Sequence, residues 1–268
     1  MTALPRQASR FRAALAAGTP ALGIWVKIPA MEIMELVALA GFDFAVIDLE
    51  HSPISLESAY RLIGTALYTG VAPIVRTPGS DAGLVQRVLD AGAEGIMVPH
   101  VDTVEQARAA VSAVRFPPFG TRGVGSTGRA GAWGALARDD YLRYGQEEVV
   151  LIAQIESAVG VRNAGLIASV DGVDALLVGA ADLSVSEGRT ESDPEIVELI
   201  ASAVDQARAA GIPVGNAGGA TAASVRASLD ANFTFTMLSN DASLFGAAAK
   251  AAVDAARTVT RNRTENHA

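Results

Sequence analysis

Eight short apolar runs punctuate the chain, at 21–28, 44–50, 72–77, 95–101, 149–156, 175–183, 212–216 and 233–238. Continuous Val/Ile/Leu-rich runs of this length suit parallel strands covered on both faces, because a strand with one wet face alternates polar and apolar positions. The segments between most of them change to a helical period and carry capping residues. Ser80-Asp81 opens one helix, and Asp102-Thr103 opens the next with Gln106 placed for a capping box. Asp193-Pro194 opens another with proline in its first turn. Several close on a glycine (Gly41, Gly92, Gly211), as a left-handed residue that ends a helix requires. Eight strand–helix repeats predict a single-domain (β/α)8 barrel of the TIM type spanning 1–268, with an open doubly wound sheet as the lesser alternative.

Three segments fall outside that rhythm. Residues 1–17 read as a short amphipathic helix with Phe11, Leu15 and Leu4 on its buried side. The 116–148 connection is rich in glycine and proline and reads as a functional or mobile loop, with Arg122 and Arg129 as solvated arginines or, alternatively, as arginines that reach a neighbouring active site in an oligomer. Residues 261–268 read as a frayed tail, and the alanine-rich 242–256 as a helix for packing against another subunit.

Composition narrows the classes of function. The net charge of −8, without a basic run, argues against nucleic acid, whose phosphates demand a positive surface. The absence of cysteine removes disulfides and thiolate metal sites and fits a reducing cytoplasm. No apolar stretch approaches the roughly 20 residues that span a bilayer, and residues 1–17 lack the apolar core of a signal peptide.

In such a barrel the chemistry belongs where strands end. The second run ends in Asp48, Glu50 and His51, with the two carboxylates on one face by strand alternation. The third ends in Arg76, the fourth in His100, the fifth in Gln154 and Glu156, and the sixth in Gly179, Ala181 and Asp182. Glu156 and Asp182, at the ends of neighbouring strands about 4.8 Å apart, can converge on one divalent ion and leave positions for water and substrate. Singly, Asp182 reads equally as a helix cap, Arg76 as a surface ion pair and His51 as structural; together they point to a site.

The stretches GFDFAVIDLEHSP (41–53), VRTPG (75–79), LDAGAEGIMVPHVDTVEQA (89–107), RFPPFGTRGVG (115–125), QIES (154–157) and VGAADLS (178–184) resemble, in order, the HpcH/HpaI aldolases. The resemblance implies a cytoplasmic, hexameric barrel that uses Mg2+, Mn2+ or Co2+ to cleave a 4-hydroxy-2-oxo acid into an aldehyde and pyruvate or a related 2-oxo acid. It implies Glu156 and Asp182 as metal ligands, His51 as acid/base with Asp90 as its partner, and Arg76 as the group that grips the substrate carboxylate and the developing enolate. It also implies substrate contacts from Asp48, Gln154 and the backbone N–H groups of Gly179 and Ala181, the last two consistent with anion binding at a helix start. The chain departs from the family pattern in Ala180 beside Asp182, in His100 where methionine is common, and in the 238–241 ending of the last strand; these departures bear on the aldehyde partner.

Other readings compete with this one. A Schiff-base lysine would have to be Lys27 or Lys250, the only lysines, and Lys27 has the better position, but it leaves Glu156 and Asp182 without a role. Gly123-Val124-Gly125-Ser126-Thr127-Gly128 satisfies a dinucleotide fingerprint but follows no strand. An acyl-CoA lyase of the citrate lyase β or malyl-CoA lyase type is the near alternative, and a non-catalytic metabolite-binding barrel the distant one.

Overall fold

The computed structural model describes residues 8–265, with side chains through residue 259. Eight strands, β1 (Ala21–Val26), β2 (Phe44–Asp48), β3 (Ala72–Arg76), β4 (Gly95–Val98), β5 (Val150–Ile155), β6 (Ala175–Val178), β7 (Val214–Ala217) and β8 (Phe235–Asn240), close into a barrel in sequence order. Every neighbouring pair is parallel, including β8 with β1. The expected caps form: Asp81, Thr103 and Asp193 accept from backbone N–H groups of their helices, and Thr103 with Gln106 completes the capping box. Gly41, Gly92 and Gly211 have φ of 87°, 104° and 77°, where a side chain would strain the backbone.

The strand interiors divide into two cores. Residues such as Ile24, Ile47, Val75, Ile96 and Leu176 face the helices. Phe44, Val46, Ile74, Met97, Ile152, Leu177, Phe235 and Met237 fill the barrel itself. Two glycines make room for the large rings: a methyl group at Gly23 would lie 2.2 Å from the Phe44 ring, and one at Gly215 would lie 2.2 Å from that of Phe235. The floor is closed by the helix Arg10–Ala16, capped by Ser9. Its Phe11 stands edge-on to Phe44 and Phe235, with ring centroids 4.8 and 5.6 Å apart. Buried Glu94 holds the start of this helix, accepting from Arg10 N–H at 2.7 Å and Ser9 Oγ at 3.2 Å. Leu15 packs partly buried against the same core; Leu4 lies outside the described residues.

Several expectations need correction. The 175–183 run is strand only to Val178; Gly179 turns the chain into a helix, Ala180–Ser186, so Asp182 stands on that helix and not at a strand end. Residues 261–265 continue the helix Asp241–Glu265 instead of fraying. The 116–148 connection is also ordered, with a 3-10 segment (Arg129–Gly134), the helix Arg138–Arg143 and one π turn (Tyr144–Glu148). Arg122 and Arg129 are both engaged by the protein. Arg122 is buried, donating to Asp90 at 2.8 Å with its guanidinium 4.5 Å from the Phe116 ring centre, and Arg129 donates to the carbonyls of Tyr60 and Ala91. The glycines of the apparent dinucleotide motif serve packing: a methyl group on Gly125 would lie 2.6 Å from an Asp90 carboxylate oxygen, a poor neighbour for a pyrophosphate. Among the described residues no helix is long and apolar enough to cross a membrane.

Candidate active site

The polar groups gather at the carboxyl ends of the strands and divide into two sides. On the first, the register of β2 and β3 sets Asp48 beside Arg76. Arg76 donates from Nε to Asp48 Oδ1 at 3.0 Å and from Nη2 to Oδ2 at 2.8 Å. Its Nη1 lies 3.3 Å from Glu50, and its guanidinium covers the Trp25 ring at 4.2 Å. Lys27 Nζ stands 3.3 Å from Asp48, which also accepts from the N–H groups of Glu50 and His51. Burial alone would raise the Asp48 pKa; the Arg76 hydrogen bonds and charge, aided by those two N–H donors, more than offset it and hold the carboxyl below its ordinary value.

Glu156, immediately after β5, anchors the second side. Its Oε1 accepts from Gln154 Nε2, and its Oε2 accepts from the backbone N–H of His100 at 3.0 Å, with His100 Nδ1 also at 3.0 Å. Burial pushes the Glu156 pKa up to about 7; the neighbouring carboxylates of Asp182 and Glu50 push the same way, against His100. Among the described residues no arginine or lysine is paired with Glu156. Among the described residues no group of three or more His, Asp or Glu side chains forms a ready metal cage. The donors present are nonetheless suited to a hard cation: two carboxylates, and the buried Gln154 Oε1, which has no hydrogen-bond partner. Oxygen donors that leave most positions to water and substrate fit Mg2+ or Mn2+.

The remaining candidates scatter. His51 is 56% exposed with Glu50 as its nearest charged neighbour, at 3.8 Å. Asp90 does not meet it within the chain, because Arg122 and the Tyr141 hydroxyl hold the Asp90 carboxylate at 2.8 and 3.1 Å. Gly179 cannot offer its N–H to a substrate, having donated it to the Ile155 carbonyl, whereas Ala181 lies in the first helical turn, where N–H groups lack intrahelical acceptors. The Nε/Nη2 edge of Arg76 is likewise spent on Asp48, leaving only its outer edge for an incoming anion. One contributor was missed, Trp25 as the surface beneath Arg76; Glu50 and His100, named at strand ends but given no role, prove respectively to link Arg76 with the histidines and to bridge Glu50 and Glu156. Strand alternation carries a signal for Trp25, which is two positions before Lys27 and so on the same face.

A closed parallel barrel with acidic, basic and histidine side chains at its strand ends defines an α/β-barrel enzyme. Residues 21–248 match the model of the HpcH/HpaI aldolase/citrate lyase family. The hydroxypyruvate/pyruvate aldolase of Deinococcus radiodurans is 37% identical over 95% of this chain and 92% of its own. The 2-dehydro-3,6-dideoxy-6-sulfogluconate aldolase of Pseudomonas putida is 38% identical over 82% and 86%. A solved HpcH/HpaI family protein from Burkholderia cenocepacia superposes with a TM-score of 0.86 at 35% identity, covering 92% of this chain and 98% of that one. The chain belongs to the HpcH/HpaI aldolase/citrate lyase family and is an enzyme of the aldolase type.

Proposed function

We propose that the protein reversibly cleaves a 4-hydroxy-2-oxo acid into an aldehyde and pyruvate, or a related 2-oxo acid such as hydroxypyruvate, with a divalent cation (Mg2+, Mn2+ or Co2+) held by Glu156 and Asp182. The observation that carries this reading is the buried Glu156 carboxylate: its pKa is pushed up to about 7, and among the described residues no permanently cationic side chain pairs with it. When bound, the cation supplies Lewis-acid stabilisation of the charge that develops on the keto oxygen. Arg76, fixed by Asp48 and stacked on Trp25, directs its outer N–H groups at that charge without having to reorient. His51, exposed at the mouth, takes the proton from the C4 hydroxyl as the C3–C4 bond breaks, and returns it in the aldol direction. Gln154 and the first-turn N–H of Ala181 orient the substrate, with Gly179 limited to forming the turn. A pairing of Asp90 with His51 would require Asp90 to leave Arg122 and Tyr141.

This reading takes the protein to be a cytoplasmic homo-oligomer, a hexamer. The helix Asp241–Glu265 leaves Leu244, Phe245 and Val253 open to solvent, a face suited to another copy. Light scattering should give a multiple of the chain mass; a stable monomer at micromolar concentration refutes the assembly. The catalytic reading is tested by incubating pyruvate or hydroxypyruvate with a panel of aldehydes and Mn2+, Mg2+ or Co2+, and detecting adducts by mass spectrometry. Chelation with EDTA should abolish product and added metal should restore it. Undiminished turnover in the metal-free protein would refute the cation's role.

A further inference from the structure

His100 is neither in a strand nor in a helix, and its backbone is unusual. Its φ is 55°, in the left-handed region that non-glycine residues seldom occupy. An unfavourable backbone conformation persists where surrounding contacts enforce it, and such positions concentrate at functional sites. Here the contacts are specific. In this conformation the residue turns both its backbone N–H and its ring Nδ1 toward one oxygen, Oε2 of Glu156, each at 3.0 Å. The same ring lies with Nε2 3.4 Å from Glu50, whose other oxygen is 3.3 Å from Arg76. The ring is nonetheless 62% exposed, so packing does not explain its placement.

The two oxygens of Glu156 are thereby made unequal. Oε2 is occupied by His100, whereas Oε1 faces Gln154 and Gly179: a methyl group built on Gly179 would lie 3.1 Å from it. Gly179 caps the helix that carries Asp182. The backbone donor and the adjoining ring on one side of the carboxylate leave the other oxygen turned toward that helix.

We propose that His100 is a positioning residue for the divalent cation: its backbone N–H, donated to Oε2, and its ring, with Nδ1 3.0 Å from the same oxygen, orient Glu156 so that Oε1 is presented toward the side of Asp182. It also ties that carboxylate, through Glu50, to Arg76 on the opposite side of the mouth. This rests on the reading of Glu156 as a cation ligand. Groups that orient a metal ligand by hydrogen bonding contribute about 10- to 100-fold to affinity.

The test measures Mn2+ binding to the full-length protein by the electron paramagnetic resonance signal of free Mn2+, for wild type, His100→Met, His100→Asn and Glu156→Gln. Circular dichroism and melting temperature establish that each variant is folded. His100→Met should weaken Mn2+ binding by about tenfold or more. His100→Asn, which tolerates positive φ and offers an amide N–H near the Nδ1 position, should recover most of that loss. In steady-state assays at saturating Mn2+ the kcat of His100→Met should return toward wild type, because the defect lies in positioning the ligand. A folded His100→Met that binds Mn2+ as tightly as wild type overturns the proposal. A folded His100→Asn no better than His100→Met also overturns it, because a polar side chain beside Oε2 would then be irrelevant. If wild type and Glu156→Gln bind Mn2+ equally, it is the assignment of Glu156 as a ligand that fails, and the proposal with it.

Discussion

The two sides of the barrel mouth are built from the same residue types and behave in opposite ways. At the ends of β2 and β3, Asp48 is matched by Arg76 and Lys27 and by two backbone donors, and its carboxyl is held below its ordinary pKa. Past the ends of β5 and β6, Glu156 has Gln154 and His100 as partners and another carboxylate, Asp182, for a neighbour, and its pKa rises to about 7. One side is complete without a ligand; the other has an excess of negative charge in a dry place. A site that must stabilise a developing oxyanion benefits from both, a donor array that does not move and a seat for a cation that the protein does not itself supply.

The sharpest way to break this contrast is to neutralise the second side. Glu156→Gln should lose divalent-cation binding and with it nearly all turnover. It should also change how stability responds to pH in the metal-free protein. Because the folded-state pKa of Glu156 is raised to about 7, its contribution is most favourable below the ordinary carboxylate pKa and is lost as pH rises through about 7. Metal-free wild type should therefore melt lower at pH 8 than at pH 5.5 by an increment that Glu156→Gln removes, as read by thermal denaturation with EDTA. An unchanged increment in the variant would show that the charge excess lies elsewhere.

Arg76→Ala attacks the complete side and should have a smaller effect, a loss of about ten- to a hundredfold in kcat/KM for one charge-assisted contact of about 1.5–3 kcal/mol. Lysine should restore little, since the planar fork that engages both oxygens of Asp48 is absent from its side chain. Lys27→Ala, in the same assay, should have the least effect, because Asp48 keeps its bidentate partner. Borohydride with pyruvate should trap no adduct on Lys27. A dead Lys27→Ala with a labelled Lys27 beside an active Arg76→Ala would invert the comparison and establish Schiff-base chemistry.

The barrel was legible because strands such as 44–48 and 72–76 are buried at every position, so hydrophobic runs map directly onto them. Legibility fails at strand ends. The run from Ala175 to Leu183 is apolar throughout, and only the turn at Gly179 separates strand from helix, a division that hydrophobicity does not encode. Charged residues at strand ends were recognisable as a set, but the partners they choose were not. Arg122 and Arg129 read as solvated because nothing in a linear pattern indicates that Asp90, Phe116 and the Tyr60 carbonyl wait for them. The conformation of His100 is likewise a property of the folded loop, invisible in the residue name.

The helix that closes the floor of the barrel carries a consequence for biosynthesis. Phe11 leaves the ribosome more than two hundred residues before Phe235, on the last strand, which forms one wall of its seat. A nascent chain lacking β8 therefore keeps Phe11 and part of the Phe44 ring in water, at a cost of about 1.5–3 kcal/mol for each fully exposed side chain. Such contacts between distant parts of the chain form late and slowly, and until then the exposed rings are a target for chaperones. Seating of Phe11 thus marks completion: it becomes favourable only once the ring of strands has closed.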